Sequence, residues 1–319
     1  MSYQRVVLIL LVLLLLPSLT QAVVGRDRYN DFDLRNSLIP AQQILPGGPP
    51  KDGIPAIDNP KFVSADSIDW LHSQSQLLAL EIDGQAKGYP IAILNWHEVV
   101  NDSFGDQSVV ITYCPLCGTG MAFLASVEGQ SFTFGVSGLL YNSDVLLYDR
   151  QTDSLWSQIL AKAVTGPVAG SKLRLLPLQQ MTWQAWRQRY PQGQVLSRDT
   201  GFKRNYDRDP YSGYDDSTVL FFPVEFLSKR YHPKERVLGI TINDRQKAYP
   251  FAELARTGQH ELRDSFAGEQ LLLRFDASAR TGSITRLRDN QLLPAINAFW
   301  FAWYTFYPKT EVFQYPPAE

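Results

Sequence analysis

The sequence predicts an α+β fold made of two unequal tandem copies of one mixed strand–helix unit, and three internal correspondences predict it. The stretch Leu77-Leu78-Ala79-Leu80-Glu81-Ile82-Asp83-Gly84-Gln85-Ala86-Lys87-Gly88-Tyr89-Pro90 returns 160 positions later as Val237-Leu238-Gly239-Ile240-Thr241-Ile242-Asn243-Asp244-Arg245-Gln246-Lys247-Ala248-Tyr249-Pro250. Asp102-Ser103-Phe104 and the run Val109-Val110-Ile111-Thr112-Tyr113 return at an offset of 162, as Asp264-Ser265-Phe266 and Leu271-Leu272-Leu273-Arg274-Phe275. Leu176-Pro177, Trp183, Trp186 and Tyr190-Pro191 return at an offset of 117, as Leu293-Pro294, Trp300, Trp303 and Tyr307-Pro308. Self-similarity in constant order is the mark of a duplicated unit. The fall in offset gives the first copy an insertion of about 45 residues, which this reading sets between Tyr113 and Leu175.

The elements follow in chain order. Residues 1–22 carry a basic Arg5, an apolar run over 6–16, Pro17 and a small-residue end at Thr20-Gln21-Ala22, the layout of a secretory signal peptide. The expectation is a periplasmic or secreted protein, with an uncleaved membrane anchor as the weaker alternative; no later segment has the roughly 20 apolar residues that span a bilayer. Residues 23–60, with Pro46-Gly47-Gly48-Pro49-Pro50, lack an apolar period and read as an extended leader. Unit one is set at 61–200 and unit two, the scaffold partner, at 201–319. In each, alternating apolar residues broken by Asp-Gly or Asn-Asp describe a β-hairpin. Short helices are predicted near 91–101, 180–190, 250–256 and 296–306, and strand pairs with few helices argue against a doubly wound sheet.

Charge excludes one broad class. Thirty Lys and Arg face 32 Asp and Glu, scattered along the chain, so there is no electrostatic footprint for nucleic acid or an anionic membrane. The chain has two cysteines, both in Cys114-Pro115-Leu116-Cys117, too close together to staple a large loop. Such a pair can bind a soft metal as thiolates, close a local disulfide or exchange electrons. His97, shortly before the cysteine-bearing run, is the natural third ligand or general base, and Met121 could add a thioether that favours Cu(I) over zinc. Against these stand a hydrogen-bonded His97, a core Met121 and an inert local disulfide between Cys114 and Cys117. Ser137, Tyr141, Asp149 and Trp156, all in the insertion, are expected to line the same pocket. The bland reading of Asp149-Arg150 and Asp153 is a solvated turn, and that of the repeated tryptophans is core.

Tyr113-Cys114-Pro115-Leu116-Cys117-Gly118-Thr119-Gly120, Phe134-Gly135-Val136-Ser137-Gly138-Leu139-Leu140-Tyr141, Tyr148-Asp149-Arg150, Ser154-Leu155-Trp156-Ser157-Gln158 and Lys247-Ala248-Tyr249-Pro250 together resemble the domain-of-unknown-function 3179 family. The likeness runs from about residue 55 to the end. It implies that Trp96-His97-Glu98 and the Cys pair belong to a shared signature, and it names no activity. Three functions remain open: an exported copper- or zinc-binding protein using Cys114, Cys117 and His97; an extracytoplasmic thiol-disulfide oxidoreductase in which the more exposed Cys114 attacks; and a non-catalytic binding or assembly protein whose Cys pair fixes a loop. The first two would call for a metal-transfer or redox partner in the envelope, which the sequence does not name.

Overall fold

Asp83-Gly84 and Asn243-Asp244 all take positive φ, between 50° and 78°, and so form the left-handed two-residue turns that match strand twist in a tight hairpin. The first joins strand Gln76–Ile82 to strand Gln85–Pro90, with Leu77 opposite Pro90 and Ile82 opposite Gln85. The second joins Arg236–Ile242 to Arg245–Pro250, with Val237 opposite Pro250 and Ile242 opposite Arg245. These registers match at the offset of 160. Each proline ends its strand and stands at the N-cap, still extended with ψ of 130° and 135°, before a short helix, α1 at Ile91–His97 and α3 at Phe251–Arg256.

The structure, a computed structural model, describes residues 27–315 and is mixed and strand-rich with few helices, as an α+β chain should be. The expected signal peptide lies outside the described residues. Among those described, no helix is long and apolar enough to cross a membrane.

After α1 comes the hairpin Val99–Phe104 and Gln107–Cys114, then strand Thr119–Leu124; after α3 come Glu261–Phe266, Glu269–Asp276 and Thr281–Arg286. Cys114 pairs with Thr119 as Asp276 pairs with Thr281, so the turns 115–118 and 277–280 are of equal length. Short strands Leu175–Leu176 and Gln291–Leu293 then return to the third strand, with Leu176 opposite Ala122 and Leu293 opposite Ile284. Strands Gln179–Thr182 and Ile296–Phe299 lead into α2, Trp183–Arg189, and α4, Trp300–Phe306, whose tryptophans are buried.

These registers move the expected insertion boundary. The first half departs after Leu124 rather than after Tyr113, and the cysteine turn belongs to a hairpin that has an equal-length counterpart. What the first half adds is residues 125–174. They build a separate sheet of strands Phe134–Tyr141, Asp144–Asp149, Leu155–Ser157 and Lys162–Ala163, with leader strand Ile44–Pro46 along its edge. The leader is thus more than a surface extension, since Phe32, Leu34 and Ile44 are buried under this sheet.

The halves share one sheet through Asn297 opposite Gly120. The seam is reciprocal: Phe299 N–H donates to the Cys117 carbonyl at 2.8 Å, and Thr182 N–H to the Ala279 carbonyl at 3.0 Å. Each half also buries a lysine, a tyrosine and an aspartate together. Lys87 and Tyr89 reach Asp102 at 2.9 and 2.6 Å, and Lys247 and Tyr249 reach Asp264 at 2.5 and 2.7 Å. The two-residue strand period puts Lys and Tyr on one face, and pairing satisfies a carboxylate that would be costly to bury alone.

Candidate functional site

The strand Gln107–Cys114 is buried from Val109 onward, and Pro115 ends its regular pairing. The chain then turns: Cys117 N–H donates to the Cys114 carbonyl at 3.2 Å and Gly118 N–H to the Pro115 carbonyl at 3.4 Å. Gly118 has φ of +59°, and a Cβ there would meet the Phe299 ring at 2.8 Å, so both backbone and seam require glycine. The tight turn brings both sulfurs to one place. Cys114 is 1% exposed and Cys117 0%, and both are free thiols.

The other wall comes from the added sheet. Asn142 and Ser143, with φ of 51° and 64°, turn the chain between two apolar strands and aim the Ser143 carbonyl at the thiols. Cys117 Sγ donates to it at 3.3 Å and Cys114 Sγ at 3.7 Å. The next residue, Asp144, opens a strand and is 1% exposed. Its carboxylate and the two sulfurs all lie within 4.8 Å of one another. One carboxylate oxygen accepts from Ile159 N–H at 3.1 Å, while the other has no hydrogen-bond partner. Gln158 donates its amide to Thr112 Oγ1 at 2.8 Å and the Thr119 carbonyl at 3.3 Å, leaving its own buried oxygen unpartnered. Buried polar atoms without partners are rare in native proteins and call for an explanation.

Electrostatics points the same way. Burial raises the Asp144 carboxyl to about 7. Burial, and then the Asp144 charge, raise Glu98 to about 8. Both thiols are pushed up by burial, Cys117 strongly. Glu98 sits at the end of α1 in the left-handed conformation, with φ of 57°, and its carbonyl accepts from Tyr113 N–H at 2.8 Å. Four acidic groups therefore gather in a buried space, and no lysine, arginine or histidine pairs with Asp144 or Glu98 among the described residues. Each holds its proton to higher pH than usual because its charge has nothing to answer it. A soft cation would supply the missing charge, since thiolates and a carboxylate are ligands for zinc and thiolates select Cu(I).

The expected site residues fall differently. His97 is fully buried, but its Nδ1 donates to the Pro55 carbonyl at 2.8 Å and its Nε2 accepts from Tyr206 OH at 2.7 Å. Burial holds its pKa below the usual value, which fits a neutral ring with both nitrogens in use. It does not join the sulfurs; Asp144 occupies the place expected of it. Cys114 is not the more exposed of a reactive pair, because both thiols are buried and raised, the reverse of an activated nucleophile. Ser137 spends its hydroxyl on the Leu146 carbonyl at a bulge. Asp149 accepts from Trp156 Nε1 at 2.8 Å and Thr152 N–H at 2.6 Å, tying down a buried turn. Trp156 and Met121 share the apolar cluster that holds the cysteines, whereas Tyr141 packs in another beside Phe306. Asp144 was the missed residue. The Asn-Ser turn and the lone acid opening the run Val145-Leu146-Leu147 mark a strand start, but nothing in the sequence ties Asp144 to the sulfurs.

Comparison with known proteins gives a family without an activity. The family model described as protein of unknown function (DUF3179) matches residues 51–310, most of the chain, which therefore belongs to that family. No curated protein and no solved structure matches.

Proposed function

We propose that this member of the DUF3179 family is an exported binding protein for a soft metal ion, copper(I) or zinc, held by Cys114, Cys117 and Asp144. One observation carries the reading: two sulfurs and a carboxylate converge within 4.8 Å, and the carboxylate keeps one oxygen free of any partner. Metal binding would release the protons that burial now holds on these groups, so affinity rises with pH. Three protein ligands leave a fourth position in a tetrahedral zinc site, and two thiolates suffice for Cu(I). The layout of residues 1–22 supports export, into a compartment where buried thiols are protected from random pairing.

The scaffold reading belongs with it. We infer that residues 61–200 and 201–319 are copies of one unit, and that the first became the binding copy by acquiring residues 125–174. Matching registers, the reciprocal seam and the two Lys–Tyr–Asp clusters support this.

The test is elemental analysis of protein purified anaerobically, followed by titration of the metal-free protein with zinc and with Cu(I). About one equivalent of metal, lost in a Cys114→Ser, Cys117→Ser double variant and weakened in Asp144→Asn, is the expected result. Metal-free protein that takes up neither ion refutes it and leaves the Cys pair as an inert part of the core.

A further inference from the structure

A second site lies on the outer side of the cysteine turn, where a cleft of about 300 Å³ is bordered by Tyr113 and Pro115 from the first half and by Arg236 and Arg280 from the second. Its donors are poorly occupied. Arg236, whose side chain is only 13% exposed, makes nothing shorter than 3.4 Å: Nη1 lies 3.4 Å from Gln180 Oε1 and 3.5 Å from the Gly118 carbonyl, and Nη2 lies 3.5 Å from Asp215. Charge-assisted hydrogen bonds normally close to 2.7–2.9 Å. Arg280 forms no hydrogen bond or ion pair through its guanidinium among the described residues.

A hydrogen-bond chain starts at Arg236 and ends in the cleft wall. Gln180 Oε1 faces Arg236, which fixes its amide nitrogen toward Gln76 Oε1 at 3.4 Å. Gln76 must then turn its own Nε2 away, and that buried donor has no partner. Flipping Gln76 would set two amide nitrogens against each other, so the free donor is a consequence of the arginine. Two guanidinium groups thus border one cleft, Arg236 held only by long contacts and Arg280 with none among the described residues, and the unpartnered Gln76 amide is buried behind them. Two nearby carboxylates are occupied, Asp207 by Arg198 at 2.7 Å and Asp209 by Asn95 at 2.9 Å, and the third, Asp215, is 55% exposed and reaches Arg236 only at 3.5 Å.

Backbone geometry adds a second reason. Arg280 occupies the turn position that Gly118 holds in the other half, and it too has positive φ, 50°. Glycine is the cheaper residue in that conformation, so the side chain is retained at a cost in strain. Arg280 is an exposed residue whose guanidinium is partly desolvated at the cleft; that desolvation, and then the nearby Arg236 charge, draw its pKa below the ordinary value, with Asp215 and Asp216 acting the other way.

We propose that this cleft binds a small organic oxyanion, its carboxylate or phosphate head held by Arg236 and Arg280 and its apolar body lying along Tyr113, Tyr206 and Tyr211. The volume is at the lower end for small-molecule sites, which limits the ligand to about one ring or a short chain.

Calorimetry of the whole protein, with a chelator present to keep bound metal from contributing, tests it with benzoate and phenyl phosphate against neutral benzyl alcohol. At least one aryl anion should bind in the millimolar range or tighter, about tenfold or more above benzyl alcohol, and the tighter of the two names the head group. Arg236→Gln and Arg280→Gly should each weaken it about tenfold, while Arg280→Gly leaves thermal stability unchanged or raised. No binding of either anion up to about 10 mM, equal binding of benzyl alcohol, or unchanged affinity in both variants overturns the proposal. None of these outcomes depends on whether the thiols hold a metal.

Discussion

The turns Cys114–Thr119 and Asp276–Thr281 close the same hairpin with the same register, yet they sit in opposite surroundings. In the second half, Asp276 accepts from Ser278 N–H and Oγ and from Ala279 N–H at 2.6–3.0 Å, and these bonds hold its carboxyl below the usual value. In the first half, residues 125–174 lie over the turn, and the nearest carboxylate, Asp144, is raised to about 7. One backbone therefore carries a solvated acid that is content to ionise and a buried set of acids that is not. What separates them is the cover, which excludes water and adds Asp144 and the Ser143 carbonyl. The comparison shows that residues 125–174 are what set the cysteine turn apart from its counterpart.

Breaking the comparison at its strongest point means removing the proposed ligand Asp144. Asp144→Asn should lower metal affinity by more than the roughly 10–100-fold that even an outer partner of a ligand costs, measured by competition with a chromophoric chelator. Asp276→Asn, at the uncovered turn, should leave metal affinity unchanged. Equal losses in the two would dissolve the distinction.

His97→Ala should cost about 2 kcal/mol of metal-free stability in denaturant unfolding, because it leaves the Pro55 carbonyl unpaired and Tyr206 OH with Thr200 Oγ1 as its remaining partner. Metal affinity should hold. A weaker metal site with intact stability would restore His97 as a ligand.

The two acids should also give opposite pH slopes. Asp144 and Glu98 bind protons more tightly folded than unfolded, so the metal-free protein loses stability as pH rises from about 4, the unfolded value, to the folded values of about 7 and about 8. Asp276 is shifted downward, and its contribution is present above the unfolded carboxyl value and lost as pH falls through the folded one. Urea unfolding between pH 4 and 8 should show the decline in wild type and much less of it in an Asp144→Asn, Glu98→Gln variant. A flat wild-type profile would contradict the burial argument. The smallest effect is expected at Asp276→Ala, about 1 kcal/mol from lost turn hydrogen bonds.

The sequence made the hairpins legible because their turns need residues that tolerate positive φ, and Asp83-Gly84 and Asn243-Asp244 are such pairs. The tryptophan helices were legible through their spacing and closing prolines. The insertion boundary was misplaced because Pro115-Leu116-Cys117-Gly118 and Ala277-Ser278-Ala279-Arg280 have no residue type in common, although their backbones close the same register. Asp144 was not legible as a neighbour of the cysteines, since only the added sheet folding back over the turn brings it to the sulfurs. His97 looked like a ligand by nearness in sequence, while its real partners, Pro55 and Tyr206, come from the leader and from a segment between the halves.

The most direct measurement is X-ray absorption at the zinc edge on metal-free protein reconstituted with one equivalent of zinc. Two sulfur scatterers at about 2.3 Å, with the remaining shell made of oxygen at about 2.0–2.2 Å and no imidazole pattern, are expected from Cys114, Cys117 and Asp144. A shell without sulfur would contradict the account, and so would one with two sulfurs and an imidazole, which would return His97 to the site and leave Asp144 out of it.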